Sequence, residues 1–430
     1  MNYPEALSLL DSLQMFKIKL GLESMTRFME RLGAPHRRLA YIHLAGTNGK
    51  GSVAATLLAL LVRAGFRVGC YTSPHLSSVR ERFRINGDYI GQEDFVRHAR
   101  RIVEVLAGEQ ITYFEFTTAL ALLWFAEREV DYAILETGMG GRLDATNIVT
   151  PRVAVITNVE LDHQAYLGAT RAAIAGEKAG IIKPGVPVVS GARGPSAGQV
   201  IGETAAGRGA PLFLLGRDFR LEEEPGAGLV YAGLKARCPG LSLALRGAHQ
   251  VENAALALAA LELLETGRGL DCQVAREGLL QVCWPGRLEY FPGLTWRGRK
   301  RDVLLDGAHN PAGVESLLAA LGADFADRRL IVVWASMADK DFAACLAAMA
   351  GHCQRIVLTR PESLRSATPE QLRLALPEAL RERAVAAPGA EEALALAYGL
   401  AGAGELICVA GSLYLVGKAR ALLAGELAGD

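Results

Sequence analysis

The chain has 430 residues, half of them hydrophobic, yet it contains no uninterrupted apolar run of membrane-spanning length. Residues 1–20 also lack the long apolar core of a secretory leader, so a soluble, cytoplasmic protein is expected. An excess of charge of either sign is missing too. With 46 Lys and Arg against 46 Asp and Glu the formal net charge is zero, which removes the electrostatic footprint of a nucleic-acid or anionic-membrane binder and favours small-molecule partners. Cysteine is sparse: Cys70, Cys238, Cys272, Cys283, Cys345, Cys353 and Cys408 form no C-x-x-C pair and show no disulfide-like spacing. They are expected to be reduced thiols that mostly fill cores. No internal repeat or low-complexity tract is present.

Glycine, in contrast, is abundant, and one cluster of it carries the first functional signal. Ala45-Gly46-Thr47-Asn48-Gly49-Lys50-Gly51-Ser52 follows the apolar run 39–44 and precedes the helical pattern 53–64. A strand feeding a glycine-rich turn and then a helix presents backbone N–H groups and a lysine to an anion, as in a phosphate-binding loop. The pattern departs from G-x-x-x-x-G-K-[ST], because position 44 is Leu and Gly51 separates Lys50 from the Ser52 hydroxyl. That departure points away from motor and GTPase loops and towards an enzyme that handles ATP.

Apolar, β-branched runs at 39–45, 67–71, 131–136, 153–157 and 186–190 alternate with helical patterns, which argues for a parallel sheet covered on both faces. Residues 211–245 read as a small antiparallel piece, followed by helices over 249–264 and 272–282. A second α/β rhythm has strands at 302–306, 330–334, 355–358 and 406–410, with a hinge expected in the polar stretch before it. Polar groups gather after strands of the first part: Ser73-Pro74-His75, Glu136-Thr137-Gly138, Leu161-Asp162-His163 and, after a helix, Glu177-Lys178-Ala179-Gly180. Ligand sites of open α/β sheets lie at such strand ends. With Ser52, these residues offer oxygen and imidazole ligands suited to Mg²⁺ sharing a nucleotide's phosphates. Singly, Glu136 could be a turn carboxylate and His163 a surface imidazole; their joint placement favours a metal-assisted phosphoryl-transfer site.

GTNGKGS at 46–52, YTSPHL at 71–76, GMGGRLDATN at 138–147, LDHQAYLG at 161–168, EKAGIIKPG at 177–185, HQVENA at 249–254, PGRLE at 285–289, DGAHNP at 306–311 and GSLYLVG at 411–417 occur in this order. Together they resemble the folylpolyglutamate synthase and dihydrofolate synthase family of ATP-dependent Mur-type amide ligases. The resemblance implies an α/β protein: a P-loop-containing, mostly parallel-sheet ATPase domain over 1–288, a linker at 289–301 and a smaller Rossmann-like C-terminal domain over 302–430. It implies that a carboxylate is phosphorylated by ATP and that L-glutamate attacks the acyl phosphate. The acceptors would be dihydropteroate and the γ-carboxyl of reduced folates, with ATP and Mg²⁺ required and a monomer expected.

By the same resemblance Thr47, Asn48, Gly49, Lys50, Gly51, Ser52, Asn253, Arg287 and Asp306 would bind ATP. Ser52, Ser73, Glu136 and His163 would serve the metal. Lys50, Lys178 and His309 would be catalytic, with Lys178 modified to N6-carboxylysine. Ile18, Lys19, Leu20, Thr112, Tyr113, Phe114, Glu115, Leu143, Asp144 and Ala145 would hold the pteroyl group, aromatic stacking being what a pterin needs. Core packing stays the alternative for Phe114 and Phe116, and helix capping the alternatives for Asn310 and Ser412. Also left open are a polyglutamylating enzyme without dihydrofolate synthesis, a Mur-type ligase of another carboxylate, a P-loop switch and a folate-binding protein on a dead ligase scaffold.

Overall fold

The computed structural model describes residues 1–13, 21–264, 270–338, 340, 342–361 and 366–424. The chain forms two compact units. The first comprises residues 1–74, 80–244 and 250–283, and the second 75–79, 245–249 and 284–430.

The first unit is built on eight strands: β1 (Tyr41–Ala45), β2 (Val68–Tyr71), β3 (Phe83–Ile85), β4 (Asp88–Tyr89), β5 (Tyr132–Glu136), β6 (Val153–Ile156), β7 (Val188–Ser190) and β8 (Leu212–Leu214). Their order is β4-β3-β2-β5-β1-β6-β7-β8, with parallel pairing from β2 to β8 and antiparallel pairing at the β3 and β4 edge. Both faces are covered, so β1, β2 and β6 are buried at every position, as expected of central parallel strands. The helix Tyr113–Glu127 starts with a capping box, in which Thr112 Oγ1 accepts the Glu115 N–H and Glu115 returns the bond to the Thr112 N–H. Residues 116–125 of that helix are buried on all sides. Phe116 is therefore core, whereas Phe114, two residues after the Thr112 cap, stays half-buried.

The antiparallel piece expected over 211–245 is a separate sheet of β9 (Arg220–Glu224), β10 (Gly228–Ala232) and β11 (Arg237–Leu241), while β8 joins the main sheet. Here the cysteine expectation fails: Cys238 on β11 and Cys272, the first residue of helix Cys272–Leu280, form a disulfide across 34 residues, with Cα atoms 5.2 Å apart. Cys70, Cys283, Cys345, Cys353 and Cys408 are free thiols, all but Cys283 buried. Closing a loop of that length restricts the unfolded chain by about 3–4 kcal/mol. Cys238→Ser is accordingly expected to lower unfolding free energy in urea by that order when compared with oxidised protein. Alkylation of the denatured, unreduced protein should find five reactive thiols; seven would mean that the bond does not form.

The second unit has one sheet of six strands, ordered β12-β13-β17-β14-β15-β16: β12 (Glu289–Trp296), β13 (Arg299–Leu305), β14 (Leu330–Trp334), β15 (Arg355–Leu358), β16 (Ala384–Ala386) and β17 (Leu406–Ala410). Only β12 runs antiparallel. Segment 289–301, expected to be a linker, is thus β12 and the start of β13, a hairpin turning at Arg297-Gly298 inside the second unit. Its polar residues mislead because an edge hairpin leaves alternate side chains in water.

Candidate active site

The phosphate-loop residues leave the end of β1 and wind directly into helix Lys50–Arg63. Gly49 caps that helix with φ +83°, and a Cβ there would come within 2.5 Å of Asn253 Oδ1. Glycine is required both for the left-handed backbone and for the approach of Asn253. The loop is pinned from the β6 side: Asn158 O accepts the Thr47 N–H at 3.2 Å, Asn158 Oδ1 accepts the Asn48 N–H at 2.9 Å, and Thr157 Oγ1 donates to Asn48 O at 2.6 Å. The Thr47 and Asn48 amides, expected to face ATP, are therefore consumed within the protein. Helix geometry leaves the N–H groups of Lys50, Gly51 and Ser52 without intrahelical partners, which makes this end the anion cradle. Thr157 and Asn158 were not singled out from the sequence; the only signal was their place directly after a strand.

Lys50 Nζ lies over its own loop, 2.9 Å from Gly46 O, and 3.9 Å from Glu136 Oε1. Glu136 ends β5, next to β1 in the sheet, and its Oε2 accepts the Ser73 N–H at 3.2 Å. This is a buried strand-end carboxylate, not a turn residue. Lys178 is only 2% exposed. Its amine is pushed down to about 7, first by burial and then by Lys50, with Asp162 opposing. So Lys50, Ser73, Glu136, Lys178 and Asp162 share one neighbourhood, with Ser52 buried at the third helical position. His163, which follows Asp162, is exposed on the turn after β6 with φ +50°.

The glycine loop 138–147 packs on the end of helix Arg171–Ala179. A Cβ on Gly141 would meet Glu177 O at 2.9 Å, and the Arg142 guanidinium pairs with Glu177 at 2.7 Å. Glu177 is thereby a loop anchor, while its neighbour Lys178 turns inward. On the other side of the loop, a Cβ on Gly138 would lie 2.7 Å from the Phe114 ring. Phe114 also stacks on Tyr71 at 5.8 Å between centroids, and the Arg82 guanidinium covers Tyr113 at 5.1 Å. Phe114 thus packs against Tyr71 and Gly138 while remaining half-buried.

Two expected pteroyl-binding side chains are otherwise engaged. Glu115 closes the capping box and accepts from Ser24 Oγ at 2.7 Å. Asp144 is buried and accepts the Met139 and Thr146 N–H groups, each at 3.0 Å. Burial pushes the Asp144 carboxyl up, against hydrogen bonds from Thr146, Met139 and Gly138 that favour its charged form. Leu143 is half-buried and Ala145 buried on the same loop, and Thr112 is half-buried. Ile18, Lys19 and Leu20 lie outside the described residues.

In the second unit, Asp306 follows β13 and accepts the Leu288 N–H at 2.8 Å and the Ala308 N–H at 2.9 Å. Burial raises its carboxyl, with Arg287 and His249 opposing. Arg287 lies over Gly307, where any Cβ would strike its guanidinium. The His309 Nδ1 is 2.8 Å from Gly307 O; a carbonyl only accepts, so this nitrogen carries a proton. Asn310 Oδ1 caps helix Pro311–Asp324 from the Gly313 N–H at 2.9 Å. Ser412 does not cap: its Oγ is buried with no hydrogen-bond partner among the described residues.

Among the described residues no three His, Cys, Asp or Glu side chains converge as a metal cage. Mg²⁺ does not need one, because it is held by one or two protein oxygens together with nucleotide phosphates and water. A buried carboxylate, a serine hydroxyl, a lysine and free helix amides on one sheet edge fit a magnesium nucleotide.

Residues 44–188 match the Mur ligase middle domain, and residues 286–413 the Mur ligase glutamate ligase domain. Dihydrofolate synthase/folylpolyglutamate synthase of Bacillus subtilis is 39% identical over 353 residues, covering 79% of this chain and 81% of the relative. The fold superposes on Escherichia coli FolC in complex with DHPP and ADP, with a TM-score of 0.88 at 31% identity over 99% of this chain and 98% of that one. It also superposes on the Yersinia pestis bifunctional folylpolyglutamate synthase/dihydrofolate synthase complexed with AMPPNP and Mn ion, with a TM-score of 0.87, 33% identity, and 99% and 98% of the two chains covered.

Proposed function

The chain belongs to the folylpolyglutamate synthase and dihydrofolate synthase family of Mur ligases, and we propose that it makes both products: dihydrofolate from dihydropteroate, and polyglutamylated folates by addition to the γ-carboxyl of reduced folates. It is an ATP-dependent ligase of glutamate that acts on small molecules, and among the described residues no helix is long and apolar enough to cross a membrane. A cytoplasmic monomer is the working form, which light scattering on the purified protein would check.

One observation carries the reading: Lys50, the open amides of its helix, Glu136 and the buried Lys178 meet at the carboxyl edge of one sheet. Lys50 and the amides of Lys50, Gly51 and Ser52 hold the phosphates and take up charge as the γ-phosphoryl moves to the substrate carboxylate. The acyl phosphate is then attacked by the glutamate amine, which loses a proton as phosphate leaves. Magnesium, when bound, neutralises charge on the phosphoryl oxygens; Ser52, Ser73, Glu136 and His163 are the residues to hold it, Ser73 by its hydroxyl since its amide serves Glu136. Lys178, carried as a carbamate, turns a cation beside the site into an anion. Asn253, packed on Gly49, is assigned to the nucleotide, as are Thr47 and Asn48 through atoms other than their amide hydrogens. Arg287 and Asp306 are the second unit's nucleotide residues, and His309 is assigned to the phosphoryl group and incoming glutamate.

The pteroyl group is assigned to Tyr113, Phe114 and the loop holding Leu143 and Ala145, with Thr112, Glu115 and Asp144 acting through the backbone they fix. Offering dihydropteroate and tetrahydrofolate in parallel with radiolabelled glutamate tests this reading; no dihydropteroate turnover would reduce the enzyme to polyglutamylation. Removing the Phe114 ring should matter more for dihydropteroate, which relies on the pteroyl contact alone. Phe114→Ala is expected to lower kcat/KM for dihydropteroate by about tenfold or more and for tetrahydrofolate by less. An equal loss on both would make Phe114 a shared or merely structural contact.

A further inference from the structure

β1 delivers the phosphate loop, and its middle residue serves a different segment. Ile42 and Leu44 pack into the core formed with helix Lys50–Arg63, and strand alternation turns His43 to the opposite face of the sheet. The imidazole is fully buried, and its Nε2 lies 2.8 Å from Thr146 Oγ1. Thr146 has one hydroxyl proton, and Asp144 Oδ1 is 2.5 Å from that hydroxyl. Both carboxylate oxygens of Asp144 already accept backbone N–H groups, from Thr146 and from Met139, so Thr146 donates to Asp144 and must accept from His43. The ring therefore carries its proton on Nε2. Burial and Lys183 push the imidazole down to about 3, which keeps it neutral.

His43 Nδ1 then has a buried lone pair with no partner among the described residues. An apolar side chain would avoid that cost, so stability alone gives no reason for a histidine here; the Nε2 donor does. The resulting chain runs from imidazole to hydroxyl to carboxylate to the amides of Met139 and Thr146. It ties loop 138–147 to the strand that carries the phosphate loop, and the same loop places Gly138 against Phe114. We propose that His43, acting through Thr146 and Asp144, is a positioning residue that sets the pteroyl-binding loop 138–147 and with it affinity for the folate substrate. This rests on the assignment of that loop to the pteroyl group made above.

The test is steady-state kinetics of His43→Leu, His43→Gln, Thr146→Val and the His43→Leu/Thr146→Val double variant, with folate substrate and ATP varied separately. His43→Leu should raise KM for dihydropteroate and tetrahydrofolate about tenfold while kcat and the KM for ATP stay within about twofold. His43→Gln, which restores an N–H donor at similar reach, should recover most of the loss. Thr146→Val should match His43→Leu, and the double variant should be no worse than either single one, because both break one chain. The near-isosteric Thr146→Val keeps the test open should the leucine variant not fold. Unchanged folate KM in the folded variants, parallel rises in folate and ATP KM, or no recovery with glutamine would overturn the proposal. Phe114→Ala run alongside separates the two readings: if it raises folate KM and the His43 and Thr146 variants do not, the loop assignment stands and the His43 role falls. If the wild-type enzyme ligates glutamate to neither substrate, both fall together.

Discussion

Replacing Lys50 by alanine is expected to lower kcat/KM for glutamate ligation by about two orders of magnitude or more, with the fold intact. The ammonium sits 2.9 Å from Gly46 O and 3.9 Å from Glu136 Oε1 at the open N-terminus of helix Lys50–Arg63. A charge contact made to a transferring phosphoryl group is worth roughly 3–4 kcal/mol when it is preorganised in a site shielded from water. Lys50 is exposed on one side only and pairs with a buried carboxylate, so little reorganisation is needed. Circular dichroism would verify folding, and ligation would be followed by radiolabelled glutamate. A folded variant that retains near wild-type turnover would remove the phosphate-loop reading.

The second large effect is expected at Lys178. A neutral amine is the form that adds to CO₂: nitrogen bonds to carbon, and one proton leaves to solvent. Burial and the nearby Lys50 bring the amine to about 7 from the ordinary 10.5, so at pH 8 most of it is unprotonated and ready to react. Lys178→Met keeps the chain length but cannot form a carbamate, and its ligation activity should fall by about two orders of magnitude. Wild-type enzyme depleted of CO₂ should lose activity and regain it with bicarbonate, the gain rising as pH passes 7. Left as an amine, Lys178 has a stability signature as well. Between about pH 7 and 10.5 the unfolded chain binds the proton that the folded one does not, so stability should rise with pH across that window. Full activity with an unmodified lysine in the electron density of a ligand-bound crystal would remove the carbamate from the mechanism.

The phosphate loop and the strand that feeds it were legible because both depend on contacts a few residues apart. An apolar run, a glycine-rich turn carrying a lysine and a following helix read the same way in isolation and in the fold, although the helix expected over 53–64 already begins at Lys50. The positions of β1, β2, β5, β6, β7, β13, β14, β15 and β17 came within a few residues for the same reason, since buried parallel strands must be apolar throughout; the short strands β3, β4, β8 and β16 were not read as strands of these sheets. The hairpin over 289–301 was misread because its edge position leaves polar side chains that look like linker composition. The Cys238–Cys272 bond was invisible because 34 residues of sequence say nothing of a 5.2 Å approach.

Site residues divided along a similar line. The sequence identified the chemical types, two catalytic-type lysines, a carboxylate, histidines and an aromatic pair, together with the family to which they belong. Whether a given polar atom faces ligand or protein was decided only by tertiary structure. Glu115 and Asp144 are occupied by backbone amides, the Thr47 and Asn48 amides are taken by Asn158, and the Ser412 hydroxyl has no partner among the described residues. His43 carries no motif of its own, and its link to Asp144 exists because β1 brings residue 43 beside residue 146. A local pattern specifies which groups are available; burial and the pairing of groups distant in the chain decide which hydrogen bonds they can make, since an amide or carboxylate already satisfied inside the protein has little left to give a substrate.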